Sequence, residues 1–149
     1  MKHAFFALAV IAAVVLGWRG DAAAESMADH KIAIHVDDND PARMNVALNN
    51  AANMARYYAS QNQTVDIRIV AYGAGLTMFR ADTSPVADRV KSMGESMPNV
   101  SFAACGNTVA NVTKKEGKAP PMLAGVTVVP SGVVELVKLQ EEGWSYVRP

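Results

Sequence analysis

Short apolar runs alternate along this chain with segments that have the spacing of helices, and this alternation limits the folds open to it. The strand-like runs are residues 31–36, 65–72, 100–104 and 125–129. From Ala42 to about Ser60 the chain carries apolar residues every three or four positions, which is typical of one buried helical face. Strands that alternate with helices form parallel sheets covered on both faces. We therefore predict an α/β fold with a mainly parallel sheet between two helical layers.

Local signals mark the remaining elements. Asp40 is predicted to cap the first helix, with Pro41 at its first position. Further elements are expected as a helix near 85–93, a helix over 107–116, a helix over 131–142 capped by Ser131, and a fifth, short strand over 144–147. No linker or repeat divides residues 25–149, so we predict a single domain there.

The N-terminal segment has the pattern of an export signal. Lys2 supplies positive charge, residues 4–17 are apolar, and Ala22 to Ala24 offer small residues for cleavage. The apolar stretch is shorter than the roughly 20 residues that a membrane-spanning helix needs. We predict a signal peptide over residues 1–24 and a periplasmic or secreted protein, with no membrane anchor after cleavage.

The charge balance excludes some partners. The chain has 14 basic and 14 acidic residues, and removal of residues 1–24 would leave a net charge of about −1. Binding to nucleic acid or to anionic lipid depends on an excess of positive charge. We therefore expect no nucleic acid partner and no membrane surface partner.

Cys105 is the single cysteine of the chain, so it cannot form an intramolecular disulfide. It stands where the run 100–104 meets Gly106, Asn107 and Thr108, a turn that can open a helix. A helix N-terminus stabilises a thiolate, and Gly106 leaves room for the backbone N–H groups to approach. The sequence therefore predicts a reactive thiol with a lowered pKa. The alternative is a buried structural cysteine, which is common after an apolar strand.

Other polar or flexible residues also follow predicted strands. In open parallel sheets, ligands bind beyond the carboxyl ends of the strands. This rule groups the candidate site residues His35, Gly73, Gly75, Cys105, Gly106, Asn107, Thr108 and Ser131. His35 is predicted to act with Cys105 as a proton partner, or to orient a ligand, if the first strand lies beside the third. Otherwise it is simply hydrogen-bonded at a strand end.

Two patterns that suggest a cofactor or a metal are incomplete. Gly73 and Gly75 begin a dinucleotide fingerprint, but Met78 occupies the position of its third glycine. Asp37, Asp38 and Asp40 form an acidic turn without the glycine and distal glutamate of a calcium loop. We expect no cofactor and no metal, and we interpret the acidic turn as a solvated helix cap.

The order of these segments resembles the DsrE/DsrF-like family. The resemblance lies in the first strand ending in His35, the Asn-rich first helix, and the segments 72–75, 102–108, 125–132 and 139–146, which together span nearly all of residues 25–149. It implies a small three-layer α/β/α sandwich with a five-stranded sheet, a flavodoxin-like variant. It also implies assembly as trimers or hexamers and a part in sulfur relay, with sulfur carried as a persulfide on a cysteine.

Two functional hypotheses follow from the resemblance and the residues. In the first, the exported protein uses Cys105 to accept sulfur from a donor and pass it to an acceptor protein, as a carrier more than a turnover enzyme. In the second, Cys105 is buried and the protein is an oligomeric binding module for a small ligand or a partner protein. Accessibility of the thiol to a labelling reagent separates the two.

Overall fold

The computed structural model describes residues 27–149, so the predicted signal peptide lies outside the described residues. The five strands are β1 (His30–Val36), β2 (Val65–Ala71), β3 (Val100–Cys105), β4 (Val126–Val129) and β5 (Ser145–Val147). The helices are α1 (Pro41–Ser60), α2 (Ala87–Ser96), α3 (Gly106–Glu116), α4 (Gly132–Glu141) and the 3₁₀ helix Gly73–Phe79.

The strands form one parallel sheet in the order β4-β3-β2-β1-β5. Each neighbouring pair is parallel, with Ile34 opposite Ile69 and Ile69 opposite Phe102. The carboxyl ends of all five strands therefore lie at the same edge of the sheet. The predicted α/β fold with a parallel five-stranded sheet and helices on both sides is confirmed. Among residues 27–149, no helix is both long enough and apolar enough to cross a membrane.

Helix α1 begins and packs as its sequence predicts. Pro41 occupies its first turn, and the Ala42 N–H donates to Asp40 Oδ1 at 2.8 Å, which caps the helix. Its inner face, which consists of Met44, Ala47, Leu48 and Ala51, is fully buried against the sheet. The three- and four-residue spacing of apolar positions therefore identified this helix correctly.

The two faces of the sheet are covered unequally. On one face, α1, α2 and the 3₁₀ helix pack on large strand residues such as Ile34, Ile69 and Phe102. On the other face, Leu136 and Leu139 of α4 pack on small residues, which are Ala33, Val70 and Ala103. Because these strand side chains are small, α4 can lie close to the sheet. Its first residue lies at the carboxyl ends of the strands because α4 follows the end of β4 after two residues.

The 3₁₀ helix was not predicted, since the sequence after β2 suggests only a turn and a loop. Leu76, Met78 and Phe79 in it are almost fully buried. Gly75 packs against the end of β1, where a Cβ would lie 2.3 Å from the Val36 carbonyl oxygen. Because 3₁₀ geometry is locally weak, tertiary burial stabilises this helix, and local sequence signals do not reveal it.

Candidate functional site

Cys105 lies where the N-termini of two helices meet. It is the last residue of β3 and the N-cap residue of α3, which begins at Gly106. Helix α4 begins beside it, because a Cβ added to Gly132 would lie 3.1 Å from the Cβ of Cys105. The side chain of Cys105 is buried, with 5% of the residue exposed. The sequence predicted both helix starts and grouped Ser131 with Cys105, but it did not predict that Gly132 packs directly on the thiol residue.

Hydrogen bonds stabilise the thiolate of Cys105 against the effect of burial. Burial raises the pKa of the thiol, but the backbone N–H of Gly132, the hydroxyl of Thr108 and the backbone N–H groups of Thr108 and Asn107 lower it. The net result is a pKa below the ordinary value for cysteine, in the direction expected from the sequence. The arrangement favours the thiolate, which is the nucleophilic form of cysteine.

Thr108 connects the thiol to the end of β2. The backbone N–H of Gly73 donates to Thr108 Oγ1 at 3.0 Å. This bond uses a lone pair of the hydroxyl oxygen, so the hydroxyl proton remains available for the sulfur of Cys105. Gly73 and Thr108 were both predicted as ligand-binding residues. The structure brings them together as parts of the support of the thiol.

Tyr72 separates Cys105 from His35. A Cβ added to Gly132 would lie 3.1 Å from the Cβ of Cys105 and 3.1 Å from both Cβ and Cδ1 of Tyr72. The side chains of Cys105 and Tyr72 therefore lie on either side of Gly132. The His35 ring stacks on the Tyr72 ring with a centroid distance of 4.5 Å and an interplanar angle of 23°. Strand β1 lies beside β2 and β5 rather than β3. The condition for direct proton exchange between His35 and Cys105, adjacent first and third strands, is therefore not met.

His35 is held by a residue from the far end of the chain. Its Nδ1 forms a hydrogen bond of 2.7 Å with the Tyr146 hydroxyl, whereas its Nε2 has no hydrogen-bond partner and lies 3.8 Å from Asp37 Oδ2. Burial lowers the pKa of His35, and Arg148 adds to this while Asp37 and Asp38 oppose it. His35 is therefore neutral at neutral pH. Tyr146 was missed as a site residue because only the pairing of β5 with β1 brings it there.

The acidic turn after β1 is paired with arginines. Arg148 binds both carboxylate oxygens of Asp37, at 2.9 and 3.0 Å, and Arg43 lies 3.2 Å from Asp38. Asp40 caps α1. Within residues 27–149, no group of three or more histidine, cysteine, aspartate or glutamate side chains is arranged to hold a metal ion. The turn is a partly exposed helix cap, as interpreted from the sequence, and two arginines in addition pair with Asp37 and Asp38.

The other predicted ligand-binding residues have mainly structural contacts. The Gly75 N–H donates to the carbonyl oxygens of Asp37 and Tyr72, and a Cβ at Gly106 would lie 2.9 Å from the Val129 carbonyl oxygen. Ser131 precedes α4, but its side chain makes no capping hydrogen bond. Asn107 is exposed beside the thiol. Ligand binding by these residues therefore stays a prediction.

Comparison with known proteins found a matching family and a similar fold. The profile of the DsrE/DsrF-like family matches residues 30–149. A solved structure, that of the protein of unknown function MTH1491 from Methanobacterium thermoautotrophicum, is similar with a TM-score of 0.68 and 33% sequence identity. The match covers 81% of this chain and 100% of that one. No curated protein matches the sequence.

Proposed function

This chain belongs to the DsrE/DsrF-like family, and on that premise we propose that it carries sulfur as a persulfide on Cys105. Membership of the family supports a role of the sulfur-relay type. The observation that carries the proposal is the position of Cys105 at two helix N-termini, where backbone N–H groups and the Thr108 hydroxyl stabilise negative charge on sulfur. A carrier needs such a thiolate in order to attack sulfur.

The transfer step is an exchange between sulfur atoms. The Cys105 thiolate attacks the outer sulfur of a persulfide or polysulfide donor. A bond forms between Sγ and that sulfur, the S–S bond of the donor breaks, and its electron pair leaves with the donor thiolate. The thiolate of an acceptor protein then attacks the outer sulfur of the Cys105 persulfide and regenerates the Cys105 thiolate. No external oxidant or reductant is needed, and no second cysteine in this chain takes part.

The proposed partners and location rest on the sequence and on one surface. We place the carrier in the periplasm or outside the cell, because residues 1–24 have the pattern of a signal peptide. Assembly into a homotrimer or hexamer is supported by three exposed valines on α4, Val133, Val134 and Val137. Valine is a weak helix former, so water-facing helix positions usually carry other residues. Cleavage at the predicted site is checked by N-terminal sequencing of the protein recovered from cell fractions.

The burial of Cys105 favours a second candidate function. With 5% of the residue exposed, the thiol is hardly accessible in this conformation. An oligomeric binding module with an unreactive cysteine would also bury this thiol. The lowered pKa and the hydrogen-bond donors around the sulfur favour the carrier, since an inert cysteine needs neither.

Intact mass spectrometry tests the carrier function. Residues 25–149 are incubated with polysulfide, beside a Cys105→Ser variant treated in the same way. We expect the wild type to gain the mass of one sulfur atom, reversibly with a reductant, and the variant to gain nothing. Absence of any adduct on the wild type, even after prolonged incubation, would reject the carrier in favour of the binding module.

A further inference from the structure

We propose that Tyr72 controls access to the sulfur of Cys105 and that His35 holds Tyr72 in its closed position. The inference rests on the proposed function, since a carrier must expose its thiol to donor and acceptor. It assigns Tyr72 as the residue that selects which molecules reach the thiol. His35 becomes a positioning residue that acts through Tyr72.

The first support is the position of Tyr72 beside the thiol residue. The Cβ atoms of both side chains, and Cδ1 of the Tyr72 ring, lie 3.1 Å from the point where a Cβ of Gly132 would be. Cys105 is buried although it lies at the carboxyl end of its strand. Tyr72 is half-buried and forms part of the surface. The Tyr72 ring is thus placed to shield Cys105 from the solvent on the β2 side.

The second support is the chain of contacts behind the Tyr72 ring. His35 stacks on it at 4.5 Å, and His35 is in turn fixed by its 2.7 Å hydrogen bond to the Tyr146 hydroxyl. Aromatic stacking and this hydrogen bond each stabilise the closed position modestly. The free energy needed to displace the ring is therefore small, and binding of a partner would supply it.

Rotation of Tyr72 would leave the fold intact. The ring packs at the margin of the small core under α4, whose buried residues come from four strands and from α4 itself. The neighbouring Gly73 has a φ of 55°, so the chain turns sharply after Tyr72 and the side chain lies at a strand end. A donor or acceptor that contacts the Tyr72 ring would gain access to the thiol, whereas molecules without such contact would rarely reach it.

Alkylation kinetics test this assignment. Native residues 25–149 are treated with iodoacetamide over a range of pH. The midpoint of the pH profile gives the pKa of the thiol, and the plateau at high pH gives the rate constant for alkylation of the thiolate. If the open state holds about 0.1–10% of the molecules, Tyr72→Ala raises that rate constant by roughly 10- to 1,000-fold. Tyr72→Phe, which keeps the ring, reacts like the wild type. Tyr57→Ala, at an exposed tyrosine on α1, is the matched control and also leaves the rate unchanged.

A double-mutant cycle tests whether His35 acts through the Tyr72 ring. We expect His35→Leu to raise the rate constant in the wild type and to add nothing in the Tyr72→Ala background, because His35 acts through the ring. Tyr72→Leu replaces Tyr72→Ala if the latter does not fold. An unchanged rate constant in both ring-deleted variants would overturn the assignment of Tyr72, and additive effects would overturn that of His35.

The two proposals fail in different ways. If the gate is wrong, removal of the Tyr72 ring leaves alkylation unchanged while the wild type still gains sulfur from polysulfide. If the carrier function is wrong, Cys105 gains no sulfur even in the Tyr72→Ala variant, where alkylation shows that the thiol is accessible.

Discussion

Gly132 packs so closely on Cys105 that an added side chain would force a neighbour to shift: a Cβ on Gly132 would lie 3.1 Å from the Cβ of Cys105 and 3.1 Å from the Tyr72 ring. This contact joins the start of α4 to the end of β3. It allows the backbone N–H of Gly132 to reach the sulfur. The electrostatic support of the thiolate therefore depends on a glycine that is remote in sequence from the cysteine.

Gly132→Ala should weaken both the packing and the thiolate. The added methyl group pushes α4 away from Cys105 or forces Tyr72 to shift, and overpacking of this kind costs about 1–3 kcal/mol of stability. Displacement of the Gly132 N–H raises the pKa of Cys105. Urea unfolding measures the first effect, and thiolate absorbance against pH measures the second. Gly94→Ala, on α2 away from the thiol, should leave the thiol pKa unchanged.

Thr108→Val should make Cys105 less reactive at neutral pH. The valine cannot donate to the sulfur or accept from the Gly73 N–H. A hydrogen bond to a charged group contributes about 1.5 kcal/mol, so its loss lowers the thiolate fraction roughly tenfold. Thr108→Ser retains the hydroxyl and should restore most of the reactivity. The pH profile of alkylation shows the change, and equal profiles for Val and Ser would contradict the role of the hydroxyl.

His35 should make the folded protein less stable in mild acid. Its pKa is lowered in the folded state, mainly by burial, whereas the unfolded value is near 6.5. Between these two pKa values the unfolded chain binds more protons, so this contribution is fully present above the unfolded pKa and is lost as the pH falls below it. One proton gives a slope of at most about 1.4 kcal/mol per pH unit.

Urea unfolding from pH 7.5 down to pH 5 measures this slope. The comparison is with His35→Leu, which removes the titratable imidazole and leaves the other ionisable side chains in place. The wild type should lose more stability than the variant over the interval. Parallel curves for the two proteins would show that His35 is not the group responsible.

The sequence predicted the architecture well because each element carries its own local signal. The spacing of apolar residues in α1, the Asp40 cap and the apolar run before Cys105 are all visible without a structure. The site was only half predicted, since its remaining parts come from long-range pairing. Tyr146 reaches His35 because β5 adds to the edge beside β1, and Gly132 reaches Cys105 because α4 crosses over small strand residues. The strand-end rule placed Ser131 and Cys105 in one region, but no local pattern specifies the contact of Gly132 with the thiol residue or that of Tyr146 with His35.

The exposed valines of α4 should form part of the interface between subunits. Val133, Val134 and Val137 are 53%, 48% and 48% exposed and lie within the first two turns of that helix. A charge at one of them costs the monomer little, because exposed substitutions usually change stability by less than about 0.5 kcal/mol. Burial of that charge in an interface would cost far more. Val133→Lys is therefore expected to dissociate the oligomer while the subunit remains folded.

Sedimentation equilibrium of residues 25–149 measures this directly, with circular dichroism to confirm the fold. The matched control is Val46→Lys, the same substitution at a valine of α1 that is 44% exposed on the opposite side of the sheet. The wild type and the control should sediment as trimers or hexamers and Val133→Lys as a monomer. A monomeric wild type would refute assembly itself, and a Val133→Lys oligomer of unchanged mass would place the interface elsewhere. The same dissociated variant would also show whether the Cys105 site is complete in one subunit, since its alkylation rate should then equal that of the wild type.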